Sequence, residues 1–144
     1  MNEPDVLNPL VSVIVTTRNE ERNIGNCLQS IQLQTYEPIE IIVVDNNSTD
    51  KTDEVMKSFV DPRINYFKIH NYGIIAASRN AGIRLAKGEW VAFLDSDDWW
   101  TNDKLEVCFG EINQKVDLLY HDLEIADGES LNFRRKTIKS WQVK

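Results

Sequence analysis

Only two cysteines occur in 144 residues, Cys27 and Cys108, about 80 positions apart. A disulfide scaffold needs more of them, and a zinc site needs them clustered, so neither organises this chain. Each falls in an apolar, helix-like pattern and is expected as a buried free thiol. Long hydrophobic runs are missing as well. None approaches the roughly 18 residues that cross a bilayer. The N-terminus, "MNEPDVLNP", is acidic and polar, unlike a signal or transit peptide, so a cytoplasmic protein is expected. Glycine-rich phosphate loops are also lacking. No G-x-G-x-x-G follows the first strand-like run, and no G-x-x-x-x-G-K-[ST] occurs anywhere, which disfavours dinucleotide Rossmann enzymes and P-loop NTPases. There is no overall excess of positive charge. The net is −7, and the last twelve residues, "FRRKTIKSWQVK", hold +5, which leaves −12 on residues 1–132. An acidic body argues against nucleic acid as the main partner and suits a site that collects a metal cation.

What is present alternates regularly. "VSVIVTT" (11–17), "EIIVVD" (40–45) and "EWVAFLD" (89–95) are short β-branched runs, apolar on both faces, as strands covered on both sides are. "RINYFKI" (63–69) alternates more and is expected nearer an edge, and "VDLLYHDLEI" (116–125) is a fifth candidate strand. Helical spacing fills the gaps. Ile24, Cys27, Leu28 and Ile31 form one face, and Leu105, Cys108, Phe109 and Ile112 repeat it. Val55, Met56 and Phe59 mark a short helix. Ile75, Ser78, Gly82, Leu85 and Ala86 mark another, whose small residues permit close packing on a sheet. Asn19 is the expected cap of the first helix, with Glu20 and Glu21 in its first turn, and Ser48 or Thr49 of the second. Alternation of this kind implies an α/β fold: a mainly parallel central sheet, Rossmann-like, with right-handed crossovers and helices on both faces. No repeat, low-complexity segment or linker precedes about residue 126.

Ligands of such sheets bind beyond the carboxyl ends of the strands. The candidate strands end there in "TTRNE", "DNNSTD" and "DSDD". The first two also read as a helix start and as a turn with a cap. "DSDD" is harder to treat that way. Asp95, Asp97 and Asp98 repel one another and have no adjacent base, so they fit better as hard oxygen ligands for Mg²⁺ or Mn²⁺. Trp99 and Trp100 follow directly. They read either as a hydrophobic staple for the next helix or as a wall of a sugar pocket.

"VSVIVTTRNEERNIGNCLQSIQLQT", "IEIIVVDNNSTDKT" and "GIIAASRNAGIRLAKGEWVAFLDSDDWW", in this order and spacing, closely resemble the nucleotide-sugar-binding part of the family 2 glycosyltransferases, which have the GT-A fold. The likeness covers roughly residues 10–125. It implies transfer of a sugar from a nucleotide diphosphate, often UDP, with inversion. Thr16, Thr17, Arg18 and Glu20 would then line the nucleoside pocket. Asp45 matches the acid that hydrogen-bonds the base. Asp95 and Asp97, flanking Ser96, match the D-x-D pair that engages the ribose and the Mn²⁺ or Mg²⁺ on the diphosphate, with Asp98 in support. Arg79 and Asn80 match a segment facing the nucleotide. Many members carry an aromatic ring where this chain has Arg18, whose guanidinium plane can also stack on a base. The catalytic base of the family lies well beyond the D-x-D, in the acceptor part. Asp117, Asp122, Glu124 and Asp127 do not match it. The expectation is a donor-binding domain over residues 1–125, with 126–144 a basic tail that begins an acceptor-binding part. The acceptor would be a saccharide or a lipid-linked sugar, reached by peripheral contact of the tail with the inner face of a membrane. A nucleotide-binding module without turnover and a sugar nucleotidyltransferase are the alternatives. The latter is expected to show a glycine-rich loop, which "TTRNEERN" is not.

Overall fold

In a computed structural model, residues 8–112 and 116–119 are described. The order of elements is β1 (Val11–Thr17), α1 (Ile24–Gln32), β2 (Ile39–Asp45), α2 (Thr52–Ser58), β3 (Ile64–Lys68), α3 (Ile75–Leu85), β4 (Trp90–Asp95) and α4 (Lys104–Glu111). The chain divides into two compact units, Met1–Val107 and Cys108–Lys144, and the sheet belongs to the first. Its strands are all parallel, in the order β3-β2-β1-β4. The α/β architecture expected from the alternation is therefore present, with β3 at an edge as its weaker apolar pattern suggested.

The connections follow from handedness. Moving from β1 to β2 to β3 steps the sheet in one direction, and the return from β3 to β4 crosses back past β1. Right-handed crossovers then place α1 and α2 on one face and α3 on the other. Ile14, Ile42 and Val44 form a buried cluster against which Ala81 and Ala86 pack. Alternation turns Val13, Val15, Ile41 and Val43, all essentially inaccessible, to the opposite face. Full burial of such side chains stabilises by about 1.5–3 kcal/mol each, so β1 and β2 anchor the molecule. Gly82 lets α3 come close: a Cβ there would stand 2.5 Å from Ile14 Cγ2.

Several expectations are corrected. Helix α1 starts at Ile24, so Asn19 does not cap it and Glu20 and Glu21 precede its first turn. Those residues are instead spent on bonds between loops, described below. Helix α2 starts at Thr52, beyond the reach of Ser48 and Thr49; Asp50 Oδ1 accepts from the Thr52 backbone N–H at 3.0 Å and from its hydroxyl at 2.6 Å. Strand β4 is less buried than expected: its residues are mostly half-buried, Phe93 is 43% exposed, and among the described residues it pairs only with β1. In the second unit Cys108 is only half-buried, whereas Cys27 is buried as expected. Of the fifth candidate strand, residues 116–119 carry no regular structure, and 120–125 lie outside the described residues. So do the basic tail, the 125/126 boundary, Asp122, Glu124 and Asp127.

Candidate functional site

Strand order reverses at β1: its successors lie on one side and β4 on the other. The loops leaving β1 and β4 therefore part company and open a crevice at the carboxyl edge. A cleft of about 260 Å³ occupies that place. Thr16, Thr17, Arg18 and Glu20 line it from the end of β1, and Asp95, Ser96 and Asp97 from the end of β4. Asn46, Gly73, Ile75 and Ser78 complete the wall. Thr17 Oγ1 is buried there without a hydrogen-bond partner. Such a hydroxyl is costly to leave unpaired and suits a ligand.

Asp95 is the meeting point. Arg79 Nη2, on α3, donates to its two carboxylate oxygens at 2.9 and 3.2 Å, and the Thr16 hydroxyl donates to Oδ1 at 3.4 Å. The pair is roughly half exposed on both sides, so solvent screens it and its contribution to stability is small. Arg79 also lies over the Phe93 ring at 5.9 Å. Asp97 and Asp98 are exposed, and the Asp98 backbone N–H closes a turn onto Asp95 O at 3.0 Å. Desolvation, then repulsion from Asp97 and Asp95, raises the Asp98 carboxyl above its usual range. Beneath them the Cys27 thiol donates to Asp95 O at 3.7 Å. Burial, followed by the charges of Asp98, Asp97 and Asp95, pushes that thiol up to about 12, so it stays protonated at neutral pH.

Among the described residues no three acidic, histidine or cysteine side chains converge on one point as a preformed cage. The donor set nonetheless fits a hard divalent ion that keeps waters and ligand phosphates in its shell. Two carboxylates, Asp95 and Asp97, line the cleft, and Asp98 lies under the strain of their negative charge.

Asp45, Arg79 and Asn80 are not among the residues that line the cleft, and Arg79 is joined to it through Asp95. Asp45 is fully buried and its carboxylate is already satisfied. Oδ1 accepts from the Ser48 backbone at 2.8 Å and its hydroxyl at 2.6 Å, and Oδ2 accepts from the Tyr66 hydroxyl at 2.5 Å. Desolvation, with the hydrogen bond to Asp45, drives the Tyr66 phenol well above its ordinary value, so it remains a donor. Asn80 is exposed on α3.

The loops at this edge are braced against each other. The Asn19 backbone donates to Ser48 Oγ at 2.9 Å, and Asn19 Oδ1 accepts from the Thr49 backbone at 2.8 Å. Glu20 donates through its backbone to Thr52 Oγ1, and Glu21 to Asp50, while Glu21 Oε2 accepts from Lys51. Asn71 donates to Asn46 Oδ1 from its backbone and to Ser78 Oγ from its amide. Left-handed φ values occur at Asn19 (56°), Asn47 (54°), Tyr72 (56°) and Gly73 (83°). All follow the carboxyl ends of β1, β2 and β3. Backbone strain concentrated at one edge is a mark of a functional surface.

Sequence reasoning did not single out Asn46, Gly73 or Tyr66, and it read Ile75 and Ser78 only as marking a helix packed on the sheet. Gly73 carried a signal, since a glycine after "NY" between a strand and a helix marks a special turn. Tyr66 carried none, because its link to Asp45 is made across two strands.

Comparison with known proteins accords with this geometry. The profile described as Glycosyl transferase family 2 matches residues 12–143. Glycosyltransferase GlyA of Streptococcus pneumoniae is 43% identical over 104 residues, covering 71% of this chain but 15% of GlyA. WfaP of Escherichia coli, a UDP-Glc:alpha-D-GlcNAc-diphosphoundecaprenol beta-1,3-glucosyltransferase, is 40% identical over 67% of this chain and 38% of its own length. The crystal structure of S. aureus TarS 1-349 in complex with UDP-GlcNAc superposes with a TM-score of 0.66 at 32% identity, over 69% of this chain and 30% of that one. Mannosyltransferase PcManGT from Pyrobaculum calidifontis, in complex with GDP-Man and Mn2+, gives 0.63 at 32% identity, over 69% of this chain and 31% of that one. The chain thus spans well under half the length of each of these relatives.

Proposed function

The chain belongs to glycosyl transferase family 2, and from that premise we propose that its sheet edge binds the nucleotide-diphosphate sugar, a UDP-sugar, from which an inverting glycosyltransferase takes its donor. The observation that carries the reading is that Asp95 and Asp97 line a cleft at the switch point of the sheet with an unpaired Thr17 hydroxyl, Asp95 being paired there with Arg79. A nucleoside diphosphate offers what these groups lack: hydroxyls for Asp95 and Thr17, and phosphate oxygens for Arg79. The complexes of TarS with UDP-GlcNAc and of PcManGT with GDP-Man support a donor of this class.

Asp97 and Asp95 would hold Mn²⁺ or Mg²⁺, which when bound offsets charge on the departing diphosphate. Arg79 is paired with Asp95, and a phosphate gives it a competing anion. Asp45 sits one layer down. Its carboxylate fixes the loop after β2 through Ser48, and it meets a base only by exchanging Tyr66 or Ser48 for it. No residue of this chain is assigned as the catalytic base. The acceptor is a saccharide or a lipid-linked sugar, and the work is polysaccharide assembly at the cytoplasmic side of a membrane, touched through the basic tail. A nucleotide-binding module without turnover uses the same cleft; it differs only in producing no transfer.

Calorimetry with UDP in the presence and absence of Mn²⁺ tests the reading. Metal-dependent binding is expected, and no binding of any nucleoside diphosphate overturns it.

A further inference from the structure

Helix α1 and the residues just after it turn a row of polar side chains toward the segment that follows β4. Cys27, Ser30 and Gln34 are spaced like neighbours on one helix face, and all three are buried. Each holds a different part of the stretch from Asp95 to Leu105. The Cys27 thiol donates to Asp95 O at 3.7 Å. Five residues on, the Trp100 backbone N–H donates to Ser30 Oγ at 3.1 Å. The Ser30 hydroxyl is itself oriented, since it donates to Cys27 O at 2.7 Å. Gln34 Nε2 donates to Thr101 O at 2.6 Å and to Ser30 O at 3.1 Å. Gln34 Oε1 accepts from the Leu105 backbone N–H at 2.9 Å, in the first turn of α4, where such groups have no partner within the helix. The Thr35 backbone N–H adds a bond to Asn102 O at 2.8 Å. Asp97, Asp98 and Trp99 are exposed, and they lie between two pinned points, Asp95 O and Trp100 N, both tied to α1. The carboxylates repel one another, and a loop free at either end would spread to relieve that. Ser30 and Gln34 resist the spreading without adding charge, so they do not compete for a cation.

We propose that Ser30 and Gln34 are positioning residues of the acidic loop: from α1 they set the separation of Asp97 from Asp95, and so how tightly a divalent cation is held. The proposal rests on the reading of Asp95 and Asp97 as cation ligands. It adds two residues that do not line the cleft and act only through the backbone of the loop. Groups that orient the ligands of a metal govern its affinity without touching it. Cys27 is the lesser pin, because a thiol is a weak donor.

The test titrates the full chain with Mn²⁺ in the presence of UDP and reads free Mn²⁺ by its electron paramagnetic resonance signal. Ser30→Ala removes the acceptor of the Trp100 N–H. Gln34→Met keeps the length of the side chain and loses its bonds to Thr101 and Leu105. Each is expected to weaken Mn²⁺ by about tenfold. Ser30→Thr keeps a hydroxyl able to bond the preceding turn, so it should hold Mn²⁺ like the native protein. Ile41→Val is the control. It thins the buried core of β2 and lowers the melting temperature without touching the loop, so Mn²⁺ affinity should not change. Native Mn²⁺ affinity in Ser30→Ala overturns the proposal, and that variant decides alone if Gln34→Met does not fold. A Ser30→Thr variant as weak as Ser30→Ala also overturns it. So does an equal loss in Ile41→Val, which would make the effect one of general stability. A native protein that takes up no Mn²⁺ with UDP overturns the cation reading and the positioning role with it.

Discussion

At the scale of single residues, the site separates groups that are free to meet a ligand from groups already spent on structure. Asp97 is exposed and lines the cleft, so its replacement leaves the core untouched. Asp97→Ala should abolish the Mn²⁺ dependence of UDP binding with an unchanged melting temperature. Retained Mn²⁺ dependence by calorimetry would remove it as a ligand. Asp45 is the opposite case. Asp45→Ala leaves the half-buried Tyr66 hydroxyl and the Ser48 backbone N–H without their acceptor. The expected cost is on the order of 1–3 kcal/mol of stability by urea unfolding. Nucleotide binding should weaken too, because the loop after β2 loses its anchor. A variant as stable as the native protein that still binds UDP more weakly would instead favour direct contact with the base. Both aspartates stand at or just beyond the end of a strand-like run and read alike in the sequence. What separates them is Tyr66, 21 residues away and one strand over, and no local pattern announces that contact.

At the scale of elements, the strands were legible because burial dictates composition. Continuous β-branched runs mark β1 and β2, which are covered on both faces, and the alternation in β3 marks an edge. The same rule misled for β4. Its run "WVAFL" looks as buried as β2, but Phe93 and the outer side of the strand have no partner strand among the described residues. Helix starts were misplaced for another reason. Asn19 and Ser48 are good capping residues, yet their side chains accept from backbone N–H groups of each other's loops, those of Thr49 and Asn19, which only the fold brings within reach. Small residues in α3 were a true packing signal. Gly82→Ala puts a methyl group where Ile14 already stands, and such overpacking costs about 1–3 kcal/mol. Urea unfolding should show that loss; an unchanged midpoint would mean that α3 slides freely on the sheet. Gly110→Ala makes the control, since nothing lies within 4 Å of a Cβ there.

At the scale of the whole molecule, pH response follows from which carboxylates the fold favours in the charged state. Asp61 precedes β3 and is nearly buried. Arg63 grips it, Nε at 3.1 Å from Oδ1 and Nη2 at 2.9 Å from Oδ2, and Gln32 at the end of α1 donates to Oδ2 at 2.8 Å. The Arg63 hydrogen bonds, chiefly, hold its carboxyl far below the usual value of 3.8. Asp53 is held down to about 2 by Lys57 and Lys68, but both lysines are exposed, so salt screens these pairs. A carboxyl lowered in the folded state stabilises fully above its unfolded value, and that stability is lost as pH falls through the folded value. The native protein should therefore lose stability steadily as pH drops below about 4, toward the lowered value of Asp61. Asp61→Asn keeps the shape but not the charge. At pH 7 it should cost on the order of 1.5–3 kcal/mol, the worth of hydrogen bonds to a charged group. At pH 3 the gap to the native protein should narrow, since protonation weakens the native bond as well. High salt should leave the difference largely intact, because the pair is shielded from solvent. Urea midpoints at pH 7, 4 and 3, with and without added salt, measure all of this. A gap that stays constant down to pH 3 would show that Asp61 acts through packing and not through its charge.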